Sequence, residues 1–135
     1  MKKTKTKEAP KLPEEWLYLA KGEGVLRRLY ECLKEEDRFR AELWEEAGVL
    51  EIGFADAGNM DLELLEEDAR DEALLDFQKE QGADWVCTVT YMQEDQKKAR
   101  QVMEYLVRQA GGVFCRDSED FLPRVWRKTK EGEDG

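Results

Sequence analysis

Histidine is absent from the 135 residues of this chain, and this absence removes several classes of catalytic site. Without imidazole the chain has no Ser-His or Cys-His nucleophile and no HExxH zinc site. It also lacks any side chain whose ordinary pKa lies near neutrality. The GxSxG, GxGxxG and GxxxxGK[ST] motifs are missing as well, so hydrolase, dinucleotide-binding and P-loop interpretations have no support.

Cysteine is scarce, with only Cys32, Cys87 and Cys115 in the chain, and no two of them are close in sequence. No CxxC pair exists, so a zinc or thioredoxin-like motif lacks its ligands. We expect three reduced, mostly buried thiols. A rival interpretation makes Cys115 a thiolate nucleophile beside Arg116, but the chain offers no histidine as the base.

Long apolar runs are also missing, and the longest, residues 16–20, is far shorter than the roughly 20 residues that cross a bilayer. The lysine- and threonine-rich start of the chain has no apolar segment typical of a signal peptide. We therefore expect a cytoplasmic protein with no membrane partner.

Acidic residues are abundant: 32 Asp and Glu against 22 Lys and Arg, for a net charge of −10. Residues 1–12 and 122–130 each carry a net charge of +4, so the stretch between them is still more acidic than the whole chain. Like charge repels phosphate, so nucleic acid is not expected as the main ligand.

Apolar periodicity and turn residues divide the chain into alternating elements. A proline-initiated segment at residues 13–20 and the pattern at 25–47 predict N-terminal helices. For residues 60–65 an alternating strand pattern competes with the helix that we favour. The remaining expected elements are strands at 49–55, 84–92 and 113–116 and helices at 61–81, 93–110 and from Ser118 through Trp126.

This order predicts an α+β fold with a small three- or four-stranded sheet, ferredoxin-like, with helices packed on it and an N-terminal helical cap. The expected organisation is one domain at residues 13–128, the usual size of a single domain. A flexible basic tail at 1–12 and a frayed acidic tail at 129–135 would flank it.

The most acidic segment is Asp61–Asp76, with eight acids and one base, Arg70. The plainer interpretation is the solvated face of an amphipathic helix; the functional one is a contact surface for a basic partner. On a helix, Glu63, Glu67 and Asp71 would share one face. Calcium-loop spacing is absent around Asp56. The six residues predicted to bind the partner are Glu63, Glu66, Glu67, Asp68, Asp71 and Glu72.

Charge and missing motifs together predict a non-enzymatic acidic binding protein that inhibits or regulates a basic partner, without cofactor or metal. Candidate partners are a nuclease, a nucleic-acid-binding protein or a host-defence protein. The order of elements is similar to that of small acidic ferredoxin-like regulators that inhibit ribonucleases, a similarity of fold and charge alone. Two alternatives remain: a homo-oligomeric scaffold, such as a homodimer, and a carboxylate-based or metal-dependent enzyme.

Overall fold

The computed structural model describes residues 12–55 and 58–126. Within these residues the chain forms seven strands, three helices and three short 3₁₀ turns. The strands are β1 (Pro13–Ala20), β2 (Arg40–Trp44), β3 (Val49–Gly53), β4 (Asn59–Leu64), β5 (Trp85–Met92), β6 (Val113–Arg116) and β7 (Arg124–Trp126). The helices are α1 (Val25–Leu33), α2 (Glu72–Gln81) and α3 (Gln96–Ala110). The predicted tails, apart from Leu12, and the calcium-loop position Asp56 lie outside the described residues.

All seven strands join one sheet in the order β2-β3-β4-β5-β1-β6-β7. Every neighbouring pair is antiparallel. The central pair is β1 with β5, which runs from Pro13 opposite Met92 to Ala20 opposite Trp85. The fold is therefore α+β with a single antiparallel sheet.

The predicted architecture is wrong, because the first element is a strand and the sheet has seven strands rather than three or four. Residues 16–20 form a continuous apolar run that is buried on both faces of β1. Such a run does not show the period that distinguishes a buried strand from a buried helix. No N-terminal helical cap and no ferredoxin-like sheet exist among the described residues.

Three further segments differ from their expected structure. Residues 40–44 are an edge strand and not the continuation of a helix, and residues 124–126 form β7 in place of a final helix. Residues 59–64 form β4, so the strand interpretation of this segment is correct and the favoured helix is wrong. Among the described residues, none of the helices is both long and apolar enough to span a bilayer.

Helices α1 and α3 cover one face of the sheet and form the main core. The Tyr18 ring lies 4.5 Å from the ring of Phe114, and its hydroxyl donates a 2.7 Å hydrogen bond to the carbonyl of Gly111. Gly112 has a φ of +84°, and a Cβ there would collide with the Tyr18 side chain. The close approach of this turn to the core therefore requires glycine.

Helix α2 covers only part of the opposite face. Its buried residues Leu74 and Phe77 pack on side chains of β1, β5 and β6. The portion of this face formed by β2, β3 and β4 lies outside that cluster, and we call it the open face. Its residues are Arg40, Glu42, Trp44, Val49, Glu51, Gly53, Asn59, Asp61 and Glu63.

Leu106 on α3 is fully buried and shares the main core with Trp85, as the apolar stripe predicted. We expect Leu106→Ala to lower the free energy of unfolding by about 2–5 kcal/mol in urea titrations, because it leaves a cavity. Leu75→Ala is the control, since Leu75 on α2 is 39% exposed. A loss below about 1 kcal/mol for Leu106→Ala would contradict the packing of α3.

The thiols of Cys87 and Cys115 are buried, as expected, and Cys32 is half-buried. Burial raises the pKa of both Cys87 and Cys115 to about 12. Because the thiolate is the reactive form, we expect a disulfide reagent at neutral pH to label Cys32 first. Cys87 and Cys115 should react only as the chain unfolds in denaturant. Rapid native-state labelling of either buried thiol, read by mass spectrometry of peptides, would refute this assignment.

Candidate partner-binding surface

A row of carboxylates crosses the open face from strand to strand. Glu42 lies opposite Glu51, and Glu51 lies opposite Asp61. Directly opposed side chains have Cβ atoms about 4.5–5.5 Å apart. The row continues through Thr90 on β5 to Glu15 on β1. Four acids from four strands are thus aligned perpendicular to the strands.

Two cations lie near one end of this row, because Lys34 and Arg40 line a cavity together with Glu42 and Glu51. None of the four acids forms an ion pair among the ion pairs of the described residues. Asp61 instead accepts a 2.8 Å hydrogen bond from the side-chain amide of Asn59. Arg40, the one cation on the open face, makes no ion pair with a described residue. Like charges directly opposite each other destabilise a sheet, so this row weakens the fold that carries it.

A second cross-strand row runs parallel to the first and contains an exposed aromatic ring. Trp44 lies opposite Val49, which lies opposite Glu63, which lies opposite Thr88. The Trp44 side chain is 54% exposed. An exposed tryptophan beside carboxylates combines a large apolar contact with a negative surround, which suits an arginine- or lysine-bearing partner.

The open face is continued by an acidic corner formed by Glu15, Asp71 and Asp117. The amide of Asp117 donates a 3.0 Å hydrogen bond to the carbonyl of Glu15. Burial raises the pKa of the Asp117 carboxyl, and the charges of Glu15 and Asp71 raise it further. Asp71 and Asp117 also line a cavity of about 500 Å³ together with Thr88. Since Thr88 lies opposite Glu63, the corner and the open face adjoin.

The predicted binding residues are all exposed, but they do not share one helix. Glu63 lies on β4 and belongs to the open face. Asp71 is the N-cap of α2, and its carboxylate accepts a 2.8 Å hydrogen bond from the amide of Leu74. Glu72 begins α2. The remaining three, Glu66, Glu67 and Asp68, lie in the turn between β4 and α2.

The predicted helical alignment of Glu63, Glu67 and Asp71 is therefore wrong, because a strand, a 3₁₀ turn and a helix cap carry them. Arg70, the base within the run, donates to the carbonyl of Leu65 at 3.2 and 2.7 Å. It also donates to the side chain of Gln78 at 3.0 Å. This guanidinium fixes the backbone of the turn and does not neutralise the acids around it.

Four acids of the surface, Glu15, Glu42, Glu51 and Asp117, lie outside the predicted acidic segment, and Asp61, its first residue, was not among the six residues predicted to bind the partner. The alternation of acidic and apolar residues in 49–53 and 59–64 was the available signal. It shows that acids share a strand face, but the pairing that aligns them depends on the register of the sheet. Among the described residues, no group of three or more cysteine or acidic side chains could hold a metal ion.

Asp117 provides a test of the corner by pH. Because the pKa of Asp117 is raised, its carboxyl group binds a proton more tightly in the folded chain than in the unfolded chain. The contribution of Asp117 to stability therefore falls as pH rises from the ordinary pKa of an aspartate through the raised one. Asp117→Asn removes the repulsion. We expect the free energy of unfolding of the variant to exceed that of the native chain by roughly 0.5 kcal/mol or less near neutral pH, because solvent screens the group. At a pH below the ordinary pKa of a carboxyl group this difference should disappear.

Urea titrations near pH 7 and near pH 3 measure this difference. Glu119→Gln is the control, since Glu119 is an exposed acid of the same loop. A variant that is less stable than the native chain near neutral pH would contradict the repulsive geometry of the corner.

Comparison of the chain with models of protein families, with curated proteins and with solved structures finds no match. The geometry and charge of the open face and the acidic corner are therefore the features from which a function can be inferred.

Proposed function

We propose that this chain is a non-enzymatic acidic binding protein that inhibits or regulates a basic macromolecular partner through the open face. The observation that carries this proposal is the row of Glu42, Glu51 and Asp61 on three adjacent strands, where none of the three acids forms an ion pair with a described residue. Directly opposed like charges destabilise a sheet by a few tenths of a kcal/mol or more per pair. A sheet surface that is only solvated does not need this arrangement.

A partner with a cationic surface would relieve this repulsion on binding. Its lysine and arginine side chains would lie between the strands' carboxylates and neutralise them. Complementary charge of this kind accelerates association and selects against acidic competitors more than it increases intrinsic affinity. Binding through the open face should therefore weaken as salt rises, because exposed charges are screened over about 10 Å at 0.1 M ionic strength.

Trp44 supplies the apolar part of the same contact. Tryptophan is enriched among the few residues that dominate interface energies, and a cation over its ring gains about 0.5–2 kcal/mol. Its position on the edge strand β2, in the row adjacent to the carboxylates, makes the ring accessible to a partner that approaches the acids. A mixed aromatic and acidic surface favours a protein partner over a simple counterion.

Basic nucleases, nucleic-acid-binding proteins and basic host-defence proteins are the partner classes that fit this chemistry. Their phosphate-binding grooves present cations in series along a strand or groove. A row of carboxylates at the strand spacing of about 4.8 Å is a surface that such a groove would accept. Nucleic acid itself would be repelled by the same row.

A homodimer that pairs two open faces is disfavoured by the same electrostatics, because it opposes acids with acids. Assembly through another surface remains the alternative, together with an enzyme that uses its carboxylates. Sedimentation velocity of the purified chain tests whether it assembles through another surface. None of the described contacts favours an enzyme.

The open face is tested by the variant Glu42→Gln, Glu51→Gln and Asp61→Asn. These changes keep the side-chain shapes and remove three charges, so the fold should be retained or slightly stabilised. We expect the immobilised variant to retain less of the basic proteins that the native chain captures from its host extract, with association rates reduced by about tenfold or more. Raised salt should reproduce the loss for the native chain.

The matched control is Glu23→Gln, Glu35→Gln and Glu104→Gln, which removes the same charge from exposed positions away from the open face. Proteins lost from the open-face variant but kept by this control would be counted as partners of the face. The proposal fails if both variants capture the same proteins at the same rates, or if the proteins lost are not basic.

A further inference from the structure

A second charged feature lies toward the opposite edge of the sheet, near β6 and β7, and has the opposite sign. A cavity of about 550 Å³ opens where β1 ends, between the ends of α2 and α3 and the strands β6 and β7. Its charged lining residues are Lys21, Arg28 and Arg124, and no acidic residue lines it. This is unexpected in a chain whose acids outnumber its bases by 32 to 22.

Two of the three cations are held in place by backbone carbonyls. Arg28 donates to the carbonyl of Lys21 at 2.7 Å and to that of Glu23 at 3.0 Å. Arg124 donates through Nε to the carbonyl of Phe121 at 3.1 Å, and its guanidinium lies 4.7 Å from the centre of the Phe77 ring. These bonds use only part of each guanidinium's five donors. The remaining N–H groups are available to a ligand.

None of the three cations is paired with a carboxylate of the described residues. The Lys21 ammonium makes no hydrogen bond or ion pair there, and the nearby carboxylate of Asp84 accepts from the amide of Gly22 instead. Other cations of the chain do have acidic partners: Arg27, Lys34, Arg38 and Arg116. The cavity thus concentrates three cations, none of which forms an ion pair with a described carboxylate.

An aromatic ring completes the cavity. Trp126 lines it and is 43% exposed. The Arg124 guanidinium lies over the Trp126 ring, 5.8 Å from its centre, so a cation covers one face of the ring and the other face is left for a ligand. Nucleobases stack on tryptophan and arginine, while phosphates take charge-assisted hydrogen bonds from lysine and arginine.

We propose that this cavity binds a nucleotide, with its phosphates on Lys21, Arg28 and Arg124 and its base on Trp126. The volume lies within the roughly 300–1,000 Å³ of cavities that hold small ligands. The apolar walls of Leu19, Ala20 and Val113 exclude water from one side of the phosphates and strengthen the ionic contacts. This site is independent of the open face and of any partner that binds there.

The same cations could instead stabilise helix ends, because Gln81 and Ala110, the last residues of α2 and α3, also line the cavity. Cations near helix C-termini are favourable. That role predicts a loss of stability on substitution and no ligand. The two roles therefore give different results in a binding experiment.

The test is isothermal titration calorimetry of the full chain with ATP, tripolyphosphate and adenosine. We expect ATP to bind, tripolyphosphate to bind more weakly and adenosine more weakly still. The double variant Lys21→Gln and Arg124→Gln should lose at least about tenfold in ATP affinity. Trp126→Ala should weaken ATP binding and leave tripolyphosphate binding unchanged.

The control is Arg40→Gln with Lys97→Gln, which removes one arginine and one lysine at exposed positions outside the cavity; its ATP affinity should stay within about twofold. If the double variant unfolds, Lys21→Gln alone serves, because the Lys21 ammonium makes no hydrogen bond or ion pair with a described residue. No ATP binding at millimolar concentration overturns the proposal, as does an equal loss in the control. Equal affinities for ATP and tripolyphosphate overturn the role of Trp126.

Discussion

The pairing of β1 with β5 is the constraint on which the rest of this structure depends. Both strands run eight residues in full register, and β1 is buried on both faces. Helices α1 and α3 must therefore cover one side and α2 the other. Because α2 is short and centred over β1, β5 and β6, it cannot reach β2, β3 and β4. The open face therefore exists because α2 packs on the central strands and leaves β2, β3 and β4 uncovered on that side.

Local pattern predicted those elements whose surroundings are simple. Strand β5, strand β6 and helix α3 lie close to their expected bounds, because each combines a strong period with clear end signals. Strands β2 and β4 were not predicted, for other reasons. An edge strand such as β2 is short and half-solvated, and β4 carries enough acids to be mistaken for the polar side of a helix. Tertiary pairing decided these segments, and pairing is not a local property.

The candidate surface shows the same division between composition and position. The sequence indicated that acids dominate and that a basic partner suits them, and it located Glu63 and Asp71, which belong to the surface. It could not align Glu42, Glu51 and Asp61, since three separate strands carry them and only the register brings them into one row. The charge of a chain is therefore readable before folding, whereas the field that a partner meets is not.

The net charge of −10 does not show that the folded sheet separates a group of acids from a group of cations. Acids occupy the side of β2, β3 and β4, whereas Lys21, Arg28 and Arg124 meet where β1, β6 and β7 come together. Opposite charges placed near each other would neutralise one another and leave neither surface with a strong field. Keeping them on different parts of one rigid sheet preserves both. An exposed row of charges is strongly screened by salt, whereas charges in a partly enclosed cavity are screened much less, so the two fields depend differently on ionic strength.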